Sequence, residues 1–128
     1  MQSLKKLTKG KLILVFGCGG DRDKGKRSIM TKIAVKFADQ IIITNDNPRF
    51  ENPKTIINDM IAEINNENLK KIKKIESREQ AIKSSIDIIK PHDILLIAGK
   101  GHENYQIIGE KKILFSDKNI ALKYLLKK

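Results

Sequence analysis

The chain has 128 residues, 40% of them hydrophobic and 32% charged, which describes one soluble globular domain, or part of one, able to bury roughly two thirds of its unfolded surface. Its longest apolar runs, such as Leu12–Phe16 and Ile94–Ala98, are too short to cross a bilayer, its N-terminus lacks the apolar core of a signal peptide, and its one cysteine, Cys18, cannot close an internal disulfide, so a cytoplasmic protein is expected. The net charge of +11 is almost all lysine, with Arg22, Arg27, Arg49 and Arg78 the only arginines, and Phe and Tyr are not interleaved with the basic clusters; A/T-rich codons suffice to explain it and no nucleic-acid interface is expected.

In chain order, residues 1–9 read as the tail of a helix stopped by Gly10. Lys11–Phe16 is a short continuous apolar run, the pattern of a buried strand. After a loop at Gly17–Gly25, a helix is predicted from Lys26 to Phe37, with Ile29, Ile33 and Phe37 as its apolar face and Met30 and Ala34 beside them. Gln40–Thr44 is a second strand. Asn52 suits an N-cap and Pro53 a first helical position, opening a helix to Ile64 that gathers Ile56, Ile57, Met60, Ile61 and Ile64. A polar connector leads to a weak strand at Lys71–Ile75. Ser77 with Gln80 has the spacing of a capping box before a helix to Ile89. Asp93–Ala98 is a fourth strand, a hairpin is predicted around Gly109-Glu110, and Lys118–Leu126 is a closing helix.

Strands alternating with helices predict an α/β fold, an open Rossmann-like and mostly parallel sheet flanked by helices, with a C-terminal β-hairpin. Ligands of such sheets bind at the carboxyl ends of the strands. The loops at Gly17–Gly25, Asn45–Asn52 and Gly99–Gln106 are therefore expected to meet at one site.

The first of these loops contains Gly20–Arg27, G-D-R-D-K-G-K-R, one residue short of a P-loop. Arg27 stands where a P-loop needs a hydroxyl for magnesium, Ser28 comes one place late, and Asp21 and Asp23 would repel phosphate. A plain glycine turn before a charged helix start accounts for the segment. So does a loop for a ligand carrying both charges, to which Asp and Arg together are suited. In Asp46-Asn47-Pro48-Arg49, the arginine fork can hold a carboxylate by two parallel bonds; an Asx-Pro turn with a solvated arginine explains the same residues. In Gly99-Lys100-Gly101-His102-Glu103, the glycines let a ligand approach the backbone, whose carbonyls, with Glu103, could receive an ammonium group. His102 has no nucleophile paired with it. Cys18 reads as a buried thiol at a strand end, and His92, His102 and one cysteine do not make a zinc set, so neither a catalytic residue nor a metal site is expected in this chain.

Together and in order, "FGCGGDRDKGKR", "TNDNPR", "NDM", "AGKGHENYQ" and "FSD" resemble the C-terminal domain of the Mur ligases, and among them those that add meso-2,6-diaminopimelate to UDP-N-acetylmuramoyl-L-alanyl-D-glutamate. The resemblance runs from about Lys11 to Leu126. It implies a role in forming a peptide bond with ATP: the substrate carboxylate becomes an acyl phosphate, which the amine of the incoming amino acid attacks. It further implies that Arg49 holds the distal carboxylate of diaminopimelate with help from Asp46 and Asn47, that Arg22 also contacts the amino acid, and that Gly99 and Glu103 receive the distal amino group. Related ligases that add L-lysine lack the arginine found here at Arg49.

The same resemblance implies domains that these residues do not include: one for the UDP-sugar peptide, and one with the true P-loop, magnesium ligands and a carbamylated lysine. Residues 1–128 are then expected to be a single Mur ligase C-terminal domain, truncated before its first strand, with ATP and Mg2+ bound mainly elsewhere. Three readings stay open. One is the separately encoded end of a split ligase, docking on a chain that carries the rest. Another is an inactive gene fragment. The last is a free basic binding module.

Overall fold

The computed structural model describes residues 10–18, 25–46, 50–98, 105–108, 111–114 and 117–127. The helix tail expected over residues 1–9 lies outside them. The described elements are β1 (Leu12–Phe16), α1 (Gly25–Phe37), β2 (Gln40–Ile43), α2 (Pro53–Ile61), α3 (Asn66–Leu69), β3 (Ile72–Lys74), α4 (Arg78–Ile88), β4 (Ile94–Ile97), β5 (Tyr105–Ile108), β6 (Lys111–Leu114) and α5 (Asp117–Lys127).

Four strands form a parallel sheet in the order β3-β2-β1-β4, and β5 pairs with β6 in an antiparallel hairpin. The central strand, β1, is buried along its whole length, as an unbroken apolar run predicts for a strand covered on both faces. Alternate residues divide between two cores. Leu12, Leu14, Phe16, Ile41 and Ile43 pack with Ala34, Val35 and Ala38 at α1 and with Ile56, Ile57 and Met60 of α2. On the other face Val15 and Ile42 meet Ala81 of α4, with Ile75, Leu95 and Ile97 alongside. The α/β expectation therefore holds, with helices on both faces of a parallel sheet.

Caps fix the helix starts. Asn52 Oδ1 accepts from the Lys54 amide at 2.9 Å with Pro53 following, and Ser77 Oγ accepts from the Gln80 amide at 3.3 Å. The polar connector holds the short helix α3, which no apolar periodicity marks; Asn65 Oδ1 caps it by accepting from the Asn68 amide at 2.8 Å. At the opposite edge from the strand carboxyl ends, Asp93 accepts from the amides of Lys11 (2.8 Å) and Lys90 (3.0 Å), tying the entry of β4 to that of β1. These bonds, that from Lys11 foremost, hold its carboxyl below the usual aspartate range. The closing helix α5 packs on α4, where Tyr124 Oη donates to Glu79 Oε2 at 2.6 Å.

Two expectations are corrected. Helix α2 ends at Ile61, not Ile64, although Ile61 and Ile64 still pack on the core. In α1 the buried face is Arg27, Thr31, Ala34 and Val35, whereas Ile29 and Ile33 are 53% and 47% exposed. The apolar spacing misled because the face toward α2 is built around a buried cation. Met30 and Ile33 instead line a groove of about 230 Å³ with Leu14, Phe16, Ala34, Leu96 and Ala98.

Candidate functional site

Parallel pairing sets the carboxyl ends of β1, β2 and β4 at one edge. Phe16 lies opposite Ile43, and Val15 opposite Ile97. The ladder continues one residue further: the Thr44 amide donates to Phe16 O at 3.0 Å and the Ala98 amide to Val15 O at 2.8 Å. From this edge issue the three segments that sequence reading singled out.

Of the six candidate ligand residues, Asp46 is described, half-buried at the end of β2. Arg22, Asn47, Arg49, Gly99 and Glu103 lie outside the described residues, as does His102. What the structure defines is the frame from which they issue, and two arginines organise it.

Arg27, at the start of α1, is 1% exposed. Its Nη1 and Nη2 donate to the two carboxylate oxygens of Glu51 at 2.7 and 2.8 Å, and Nη1 also reaches Asp59 Oδ2 at 2.9 Å. Glu51 lies near the end of the second segment and Asp59 belongs to α2. One planar fork thus joins the residues behind the first two segments. The Glu51 bond, opposed by the cost of burial and then assisted by Asp59, pushes the Arg27 pKa further up. The guanidinium is a structural cation committed to two carboxylates, and a P-loop hydroxyl has no counterpart here. Among the described residues no three His, Cys, Asp or Glu side chains converge as metal ligands. The position where a P-loop carries its magnesium hydroxyl is held by this buried, carboxylate-paired cation, which does not suit a magnesium ligand.

Arg78, at the start of α4, is 2% exposed. Its Nε and Nη2 donate to Asp117 Oδ1 and Oδ2, both at 2.7 Å. Nη1 donates to the carbonyl of Asn45 at 2.9 Å and Nη2 to that of Ala98 at 3.0 Å. Asn45 opens the second segment and Ala98 stands just before the third. Thr44 Oγ1 adds a bond to Glu76 O at 3.1 Å.

Gly17 lets β1 approach the start of the second segment. A Cβ there would press on the carbonyl oxygen of Thr44, 2.9 Å from the carbonyl carbon of Asn45 and 3.0 Å from the amide nitrogen of Asp46. These are backbone atoms, which cannot rotate away. Gly17→Ala is expected to destabilise the fold by about 1–3 kcal/mol, read as a lower urea midpoint. An unchanged midpoint would show that the strand end yields freely.

Cys18 is buried, with Sγ 3.9 Å from Met30 Sδ. Burial raises its thiol pKa most; the charge of Arg27 lowers it and that of Asp46 raises it again. The first strand end, the base of the first helix and Asp46 thus share one electrostatic neighbourhood.

Sequence reading missed Arg27 and Arg78 as organisers. A signal was present: a chain with 26 Lys and Arg residues uses arginine at only four positions, and a planar fork is needed where several acceptors must be held at once. The motif acids Asp59 and Asp117, unexplained on sequence grounds, are the partners of those two forks.

The family profile described as "Mur ligase, glutamate ligase domain" matches residues 1–101. A UDP-N-acetylmuramoyl-L-alanyl-D-glutamate–2,6-diaminopimelate ligase of Rickettsia typhi is 60% identical over 116 residues, 91% of this chain and 23% of that protein. The ligase of the same name from Prochlorococcus marinus subsp. pastoris is 53% identical over 128 residues, all of this chain and 25% of its own length. A solved structure of such a ligase superposes with a TM-score of 0.91 at 40% identity, covering 98% of this chain and 26% of that one. The chain spans about a quarter of the length of the curated relatives it matches. With the profile covering most of the chain and the parallel sheet matched almost end to end, this chain belongs to the Mur ligase family, in its glutamate ligase domain.

Proposed function

We propose that this chain is the amino-acid-binding C-terminal domain of an ATP-dependent ligase of peptidoglycan precursor synthesis in the cytoplasm. That ligase adds meso-2,6-diaminopimelate to UDP-N-acetylmuramoyl-L-alanyl-D-glutamate. The carrying observation is the common edge at which β1, β2 and β4 end, with forks at Arg27 and Arg78 tying the residues around the three segments to one another. The names of the relatives support the choice of reaction.

In this reading Arg49 pairs with the distal carboxylate of the amino acid, and Asp46 and Asn47 complete that end. The Gly99 carbonyl and the Glu103 carboxylate receive the distal ammonium. Arg22 contacts the amino acid from the first segment. The chain's task is to hold the zwitterion so that its other amine meets the activated carboxylate. ATP with Mg2+ supplies that activation in the complete enzyme, bound mainly by residues outside this chain. Those residues lie on the remainder of the polypeptide or on a separate chain that this domain docks against.

The test is a ligase assay with and without a polypeptide carrying the rest of the enzyme. Product is expected only from the combination. Product from this chain alone would overturn the reading.

A further inference from the structure

Arg78 bonds directly to residues at the ends of two strands that are not neighbours in the sheet. In the sheet β1 lies between β2 and β4; each strand end is laddered to β1, Thr44 to Phe16 and Ala98 to Val15, and the width of β1 separates the end of β2 from the end of β4. The guanidinium of Arg78 spans that gap, donating to Asn45 O and to Ala98 O. Its remaining bonds go to both oxygens of Asp117, at the start of α5. Asp117 is itself buried; it balances the charge and fixes the plane of the fork. Lysine, a single point charge on a flexible stem, cannot reproduce this four-bond geometry.

We infer that Arg78, oriented by Asp117, is a positioning residue that sets the spacing between the two strand ends leading into residues 46–49 and 99–103. This rests on the proposed function. There, one of these segments reads the distal carboxylate of diaminopimelate and the other reads the distal ammonium. Both groups sit on the same carbon, so the two readers must be held together within a fraction of an ångström. The Arg78–Asp117 pair is then a specificity device for a zwitterionic side-chain end, although it does not touch the ligand.

The test uses R78K, with D117E as a second variant that keeps both charges and shifts the carboxylate by one methylene. In a complete ligase carrying this domain, either folded variant is expected to raise KM for meso-diaminopimelate about tenfold or more. KM for ATP and for the UDP-linked substrate should stay put, and kcat at saturating amino acid should change far less. In this chain alone, hydrogen exchange is expected to quicken over residues 44–50 and 97–104 together, with β1 and α2 unchanged. An unaltered KM for diaminopimelate in a folded variant, or an equal rise in KM for ATP, would overturn the inference. So would faster exchange in only one of the two regions, or throughout the chain. If the parent ligase does not use diaminopimelate, the proposed function fails, and the exchange measurement still decides whether Arg78 couples the two strand ends.

Discussion

Arg27→Ala should lower the stability of this chain by about 3–5 kcal/mol, the usual cost of removing one partner from a buried ion pair. Domains of this kind are stable by only about 5–15 kcal/mol, so the loss should appear as a large fall in urea midpoint. The size follows from what is left behind. The Glu51 side chain is 12% exposed and loses its bidentate partner with little access to water, whereas Asp59, 38% exposed, recovers water and adds less. The cycle formed with Glu51→Ala isolates the pair, because the double variant should be less destabilised than the two single losses summed. An Arg27→Ala protein that unfolds at the parental midpoint would show that the fork does not hold the first two segments together.

Arg49→Ala in a complete ligase should reduce kcat/KM for meso-diaminopimelate on the order of a hundredfold or more. Truncating one partner of a desolvated, hydrogen-bonded charge pair costs about 2–5 kcal/mol, and each 1.4 kcal/mol is tenfold. The loss should be confined to diaminopimelate. L-Lysine has no distal carboxylate to leave unpaired, so its use should hold steady or rise, and the ratio between the two amino acids should collapse. Unchanged kinetics with diaminopimelate would remove Arg49 from the site.

Much of this molecule was legible in its sequence, for reasons that can be named. β1, β2 and β4 are short apolar runs and fall where those runs lie, whereas β3, an edge strand of Ile72 and two exposed lysines, left only a weak signal. Asn52-Pro53 and Ser77 marked helix starts because their side chains accept from amides that the first helical turn leaves unpaired. The buried face of α1 was hidden for the opposite reason. Arg27 and Thr31 occupy the interior there, and a buried cation is recognisable only once Glu51 and Asp59 are known to surround it. Arg78 and Asp117 are 39 positions apart, and no local pattern connects them. At the site, the sequence pointed to three strand-end segments, and the structure puts their described flanks on one edge. The forks that join those flanks depend on tertiary packing, which a linear pattern does not encode.

Amino-acid selection measures most directly whether this chain reads the zwitterionic end of diaminopimelate. A ligase in which this chain supplies the C-terminal domain is given UDP-N-acetylmuramoyl-L-alanyl-D-glutamate, ATP, Mg2+ and equal amounts of meso-diaminopimelate and L-lysine. The masses of the products are then read. The diaminopimelate adduct is expected almost alone. A folded enzyme that forms the lysine adduct as readily, or that forms neither, would contradict that reading.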